Sequence, residues 1–118
     1  MEGECMAMIT DDNLKNISNW RAELLKEIHK LEVELEEKRQ GLQFLQLQSD
    51  ILDRASNRFN PKDKESFWKT YCEELEKERS VKFIEFEEVR KQNYKKMREL
   101  QAIIKSIEEF LIINNYSS

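Results

Sequence analysis

From Leu14 to Leu52 one apolar position recurs at alternating steps of three and four, over six consecutive heptads, and nothing else in the chain constrains its fold as strongly. With Leu14 as position a, the a series is Leu14, Arg21, Ile28, Leu35, Leu42 and Ser49, and the d series is Ile17, Leu24, Leu31, Lys38, Leu45 and Leu52. Residues spaced this way share one stripe of an α-helix. A stripe sustained over such a length, with charged flanks, is the seam by which one helix lies against another. Thr10, Asp11 and Asp12 stand just before it, where side-chain oxygens satisfy orphan N–H groups and negative charge suits the macrodipole.

Composition narrows the class further. Two glycines and one proline in 118 residues are too few for the turns of a sandwich, a barrel or a βαβ array, so the chain must consist of few, long elements. With 37% charged and 39% apolar residues, it can bury a stripe along each helix but not a thick globular core. The formal charge of -4 disfavours nucleic acid as a general partner, because phosphates reward clustered Lys and Arg. Cys5 and Cys72 lie far apart without disulfide-scaffold or metal-ligand spacing, which points to a reducing compartment, cytoplasmic or nuclear. Glu2 and Glu4 stand where a signal peptide carries basic residues, and no apolar run approaches the roughly 18 to 20 residues that span a bilayer. Asn16-Ile17-Ser18 and Asn115-Tyr116-Ser117 therefore read as chance matches to a glycosylation acceptor.

The strong break is RASNRFNPKDKES. Proline has no N–H to donate and biases the residue before it away from helical dihedrals, so Asn60 reads as an N-cap, with Pro61 at the first helical position. The expected organisation is a lead-in over residues 1–9, a first helix over 10–57, a turn at 58–60, a second helix over 61–114 and a tail at 115–118. A linker this short folds the helices back on each other. Folding about residues 58–60 would set Leu52 near Phe67, Leu42 near Lys77, Leu31 near Val89 and Ile17 near Ala102. That register brings the acidic run Glu32 to Glu37 level with Glu85, Glu87 and Glu88, so either the helices slide or a basic partner relieves the patch. In the second helix Leu75, Arg79 and Phe83 make two successive steps of four, a stutter expected to unwind the supercoil locally. Gly41, inside the first seam, suggests a close approach by a neighbouring backbone or a tolerated flaw.

No catalytic constellation stands out, and no enzyme activity, cofactor or metal is expected. His29, the one histidine, has no carboxylate three residues before it, so the Glu-x-x-His element of metal-binding bundles is missing. Cys72 reads as a small buried hydrophobe and Cys5 as at most a lipidation candidate. Arg90, Lys91, Lys95, Lys96 and Arg98, with Tyr94 among them, could form a basic docking stripe for nucleic acid or a microtubule, or simply one solvated face. Arg21, Lys38, Arg90 and Asn93 occupy seam positions where polar groups set register and partner choice.

The chain is therefore expected to be all-α: a long antiparallel two-helix coiled-coil hairpin that completes a helical bundle with another chain. Trp20, Leu25, Ile103, Ile107, Phe110 and Ile113 flank the seam at the end where the termini meet, and Phe44, Leu47 and Ile51 make a second stripe on the first helix. The first set, anchored by Trp20 and Phe110, is the expected partner-binding surface and the second a secondary one, because a helix apolar on two sides needs two neighbours. In general pattern the chain looks like the short coiled-coil subunits of kinetochore, centrosomal, ciliary and vesicle-tethering assemblies, acting as a non-enzymatic scaffold. The alternatives are a self-contained homodimeric four-helix bundle and a module binding nucleic acid or microtubules through Arg90 to Arg98.

Overall fold

The computed structural model describes residues 9–116, and the expectations for Cys5, for residues 1–8 of the lead-in and for residues 117–118 lie outside it. The described chain is all-α, with two long helices joined by one turn and no strand among the described residues. Helix α1 spans Asp11–Ser56. After the turn come α2 (Pro61–Phe67), a stretch of π-helix (Trp68–Cys72) and α3 (Glu73–Ile113), which follow one another without a break in helical backbone.

Each helix end has a local cause. At the start of α1 the Asn13 N–H donates to Thr10 Oγ1 at 3.1 Å. At the start of α2 the Asp63 N–H donates to Asn60 Oδ1 at 2.9 Å while Asn60 Nδ2 donates to Asp63 Oδ2 at 3.0 Å, a reciprocal cap on a helix opened by Pro61. Helix α3 ends in a Schellman motif: Asn115 takes the left-handed conformation (φ 55°), its N–H donates to Ile112 O, and the Tyr116 N–H donates to Leu111 O. Tyr116 then packs against the apolar cluster containing Leu111.

The chain divides into two compact units. One unit comprises residues up to Glu32 together with those from Tyr94 onward, and it holds an apolar core in two patches. Leu14 packs with Ile107 and Leu111, and Ile28 packs with Leu100 and Ile104; Leu24 lies against both patches. Early α1 thus meets late α3, so the helices run antiparallel here. Arg21, at a seam position, reaches across to Glu108 with Nη2 at 2.5 Å and Nε at 2.8 Å from Oε2. A half-exposed pair of this kind adds less than about 1 kcal/mol, so its use lies in fixing register.

The other unit, Val33–Asn93, contains the turn and is a helical hairpin. Its turn is clamped by rings in tilted contact, Phe59 with Phe67 at 5.1 Å between centroids and Phe67 with Tyr71 at 4.9 Å. Leu35 and Leu45 are buried at the expected seam positions, as is Ser56, one heptad beyond Ser49. Lys38, read as a polar seam residue, is exposed instead.

Two expectations need correction. In register, Gln46 faces Arg79, whereas folding about residues 58–60 sets it near Glu73; the slide is about six residues, or roughly 9 Å along the axis. In the other unit Leu31 packs on the cluster that Met97 joins, not near Val89, and Ile17 packs against the cluster of Ile107 and Leu111 rather than at Ala102. The cause lies at the turn, because α2 carries no buried residue: its first turns extend past the end of α1 before the seam begins. The slide also removes part of the acidic mismatch, since Glu32 comes level with Lys96 and Arg98.

The phase break is also displaced. It falls in the π-stretch Trp68–Cys72, where the Glu73 N–H donates to Trp68 O, one residue farther back than an α-helix allows. Phe67 to Cys72 is a step of five, and thereafter Cys72, Glu76, Arg79, Phe83, Phe86, Arg90 and Asn93 follow at unbroken steps of four and three. The seam passes through Glu76 as much as through Leu75, so the apparent stutter at Leu75, Arg79 and Phe83 disappears. Within the π-stretch the Thr70 hydroxyl donates back to Ser66 O at 2.9 Å.

Candidate interaction surface

In the hairpin unit polar groups join the seam beside the buried Leu35, Leu45 and Cys72. Ser49 Oγ donates to Glu76 Oε1 at 2.7 Å, Arg79 Nη2 donates to Glu76 Oε2 at 2.8 Å, and Arg79 Nη1 donates to Gln46 Oε1. The Ser49 hydroxyl, and after it the Arg79 guanidinium, hold the Glu76 carboxyl below the usual carboxylate range. Asn93 is buried at another seam position of α3, and Arg90 donates to Glu87 at 2.8 Å, which lowers the Glu87 carboxyl in turn. Both buried apolar clusters among the described residues belong to the other unit. Sequence reasoning placed Ser49 in the a series but missed its partner, because that partner depends on register.

Grooves open on both sides of Leu42, where the seam is loosely filled. One, of about 760 Å³, is lined by Arg39, Leu42, Gln46, Arg79, Phe83 and Ile84. The other, of about 560 Å³, is lined by Gly41, Phe44, Leu45, Leu75 and Phe86 among others. A Cβ on Gly41 would meet nothing within 4 Å, so no neighbouring backbone among the described residues approaches it.

The outer face of α1 in this unit is apolar as well. Phe44, Leu47 and Ile51 are 62%, 53% and 65% exposed. Each lies two residues beyond a seam position, about 200° around the helix, so the stripe lies on the outer side of α1, with Phe44 at the rim of the groove it shares with Leu75 and Phe86. On α3 the exposed Val81 and Ile84 add apolar surface that sequence reading passed over, and Phe83 is exposed beside them. Phe83 was read as seam, and only the loosened packing around Leu42 brings it out. Trp68 and Tyr71 are exposed beside the π-stretch, whereas Cys72 is buried and its thiol is pushed up by burial first, then by Asp53 and Glu76.

In the other unit the expected partner-binding residues separate into two kinds. Trp20, Leu25, Ile103 and Ile113 are exposed. Ile107, at 5% exposure, is core, and Phe110 is half-buried against the Leu14 cluster, so these two are used within the chain. Trp20 and Phe110 do line a shallow depression of about 340 Å³ with Ile9 and Ile17. Of the basic stripe, Arg90 is half-buried on Glu87 and Lys91 is exposed in the hairpin unit, while Lys95, Lys96 and Arg98 are exposed in the other.

Among the described residues no three side chains of His, Cys, Asp or Glu converge to hold a metal, and no helix is long and apolar enough to cross a membrane. Compared with known protein families, characterised proteins and solved structures, the chain matches none.

Proposed function

We propose that the chain is a non-enzymatic interaction subunit that works by helix–helix association, with the outer face of α1 around Leu47 as its principal docking surface. The observation that carries this reading is the stripe of Phe44, Leu47 and Ile51, three large apolar side chains more than half exposed at steps of three and four. Contiguous apolar surface of this kind is favourable only when another surface covers it. The polar layer of Ser49, Glu76 and Arg79 supports the reading, because such layers cost hydrophobic stabilisation and serve register and partner choice. A subunit of a kinetochore, centrosomal, ciliary or vesicle-tethering assembly would use such a face to join other coiled-coil chains. A nucleic-acid role draws less support, since Arg90 is engaged by Glu87.

A photo-crosslinking amino acid at Leu47, with the exposed Gln101 as control position, tests the proposal in cells. Discrete adducts at Leu47 and none at Gln101 are expected. No adduct at Leu47, with adducts instead at Trp20 or Lys95, would move the surface elsewhere.

A further inference from the structure

The docking face carries a charge pattern that is complementary to itself. Continued at the same spacing, the stripe of Phe44, Leu47 and Ile51 runs back through Gln40 to Glu37 and forward through Arg54 to Arg58 in the turn. All four flanking residues are exposed, and among the described residues the side chains of Glu37, Arg54 and Arg58 enter no ion pair. Along the stripe itself an acid thus lies ten residues before the centre, Glu37, and bases lie seven and eleven after it, Arg54 and Arg58; Lys38, Arg39, Asp50 and Asp53 lie off the stripe.

We propose that the occupant of this face is a second copy of the chain, docked antiparallel about a two-fold axis at Leu47. The proposal rests on the helix-association reading above and adds the partner's identity and direction. An axis at Leu47 sets each Leu47 against its mate, Phe44 of each copy against Ile51 of the other, Gln40 against Arg54 and Glu37 against Arg58. An interface with this symmetry uses one patch twice, so every favourable pair occurs twice. A parallel pairing would instead set Glu37 on Glu37 and Arg58 on Arg58, with like charges at both ends of the contact. The opposite signs at the two ends of the stripe therefore select the antiparallel arrangement.

The test is the mass of the purified full chain by sedimentation, over roughly 1 to 500 µM, the range a small interface requires. The wild type should form dimers that weaken with salt. Glu37→Arg and Arg58→Glu should each raise the dimer dissociation constant about tenfold, since each turns two attractive pairs into two repulsive ones. Mixed in equal amounts, the two variants should form a heterodimer within about threefold of wild-type affinity, because both cross-copy pairs then join opposite charges. Circular dichroism should show unchanged helicity, both positions being exposed. Singles that weaken without rescue on mixing, or dimers indifferent to both reversals, would overturn the antiparallel arrangement. A monomer at all concentrations that still crosslinks to another protein through Leu47 would overturn the second copy and leave the docking face standing. A monomer silent at Leu47 in both experiments would overturn both.

Discussion

Replacing Glu76 by Gln should destabilise the chain by about 1 to 2 kcal/mol at neutral pH, although the residue looks like one more acid on a charged helix. Its carboxylate accepts from Ser49 Oγ and Arg79 Nη2, and a hydrogen bond to a charged group contributes about 1.5 to 3 kcal/mol when solvent is excluded. The Glu76 and Arg79 side chains keep 34% and 33% of their surface, so water screens the pair and the sum falls to roughly half or less. Urea denaturation at fixed protein concentration measures the difference, with the exposed Glu78→Gln as reference and expected within about 0.5 kcal/mol of wild type. The pH dependence carries a sign. The folded carboxyl titrates below its ordinary value of 4.5, so its contribution is complete above that pH and is lost as pH falls through the folded value. The gap between wild type and Glu76→Gln should therefore close on acidification from pH 7 towards about pH 3. Equal costs at positions 76 and 78, or a gap that widens in acid, would refute the polar layer.

Ile107→Ala should cost about 2 to 3 kcal/mol, at the low end for a core aliphatic because a two-helix site can collapse, whereas the exposed Ile112→Ala should stay within about 0.5 kcal/mol in the same urea titrations. Gly41→Ala should stabilise by about 0.5 to 1 kcal/mol, since the added Cβ meets nothing and the helix gains propensity; a lower melting temperature would mean that something packs at Gly41. In a Cys5→Ser background Cys72 should react with a disulfide reagent at least about tenfold more slowly than a peptide thiol at pH 8, and urea should abolish the difference; a fast reaction in the folded protein would mean that the site opens.

The seam of α1 was legible because side-chain period depends only on helix geometry. Leu14, Ile28, Leu35 and Leu45 are buried where the heptads put them, and Arg21 reaches across the seam from its a position. Register was not legible, since the heptads place a stripe on each helix but do not say which residue of one stripe lies opposite which residue of the other. What selects among slides is the length of chain spent at the turn, including an α2 without buried residues, and no periodicity reports that. The π-stretch was legible only as a misplaced stutter: the sequence shows that one residue too many lies between Phe67 and the later seam, but not which turn absorbs it. The exposed stripe of Phe44, Leu47 and Ile51 could be read from spacing alone. The split among the terminal residues, with Ile107 buried and Ile113 exposed, needed the register.

The π-stretch at Trp68–Cys72 makes the chain unequally tolerant of changes in length. Deleting one residue from an ordinary α-helix turns everything on one side of the deletion by about 100°, which carries a seam off its partner. Within α3 such a deletion would swing Cys72 and Asn93, or Leu100 and Leu111, out of their buried positions. Removal of the exposed Lys69 has a different outcome, because the surplus residue of the wide turn is the one lost. The step from Phe67 to the cysteine becomes four, the widened turn closes to an α-turn, and the downstream side chains keep their bearing. Lys69 is thus a place where this chain can be shortened in frame with its own geometry.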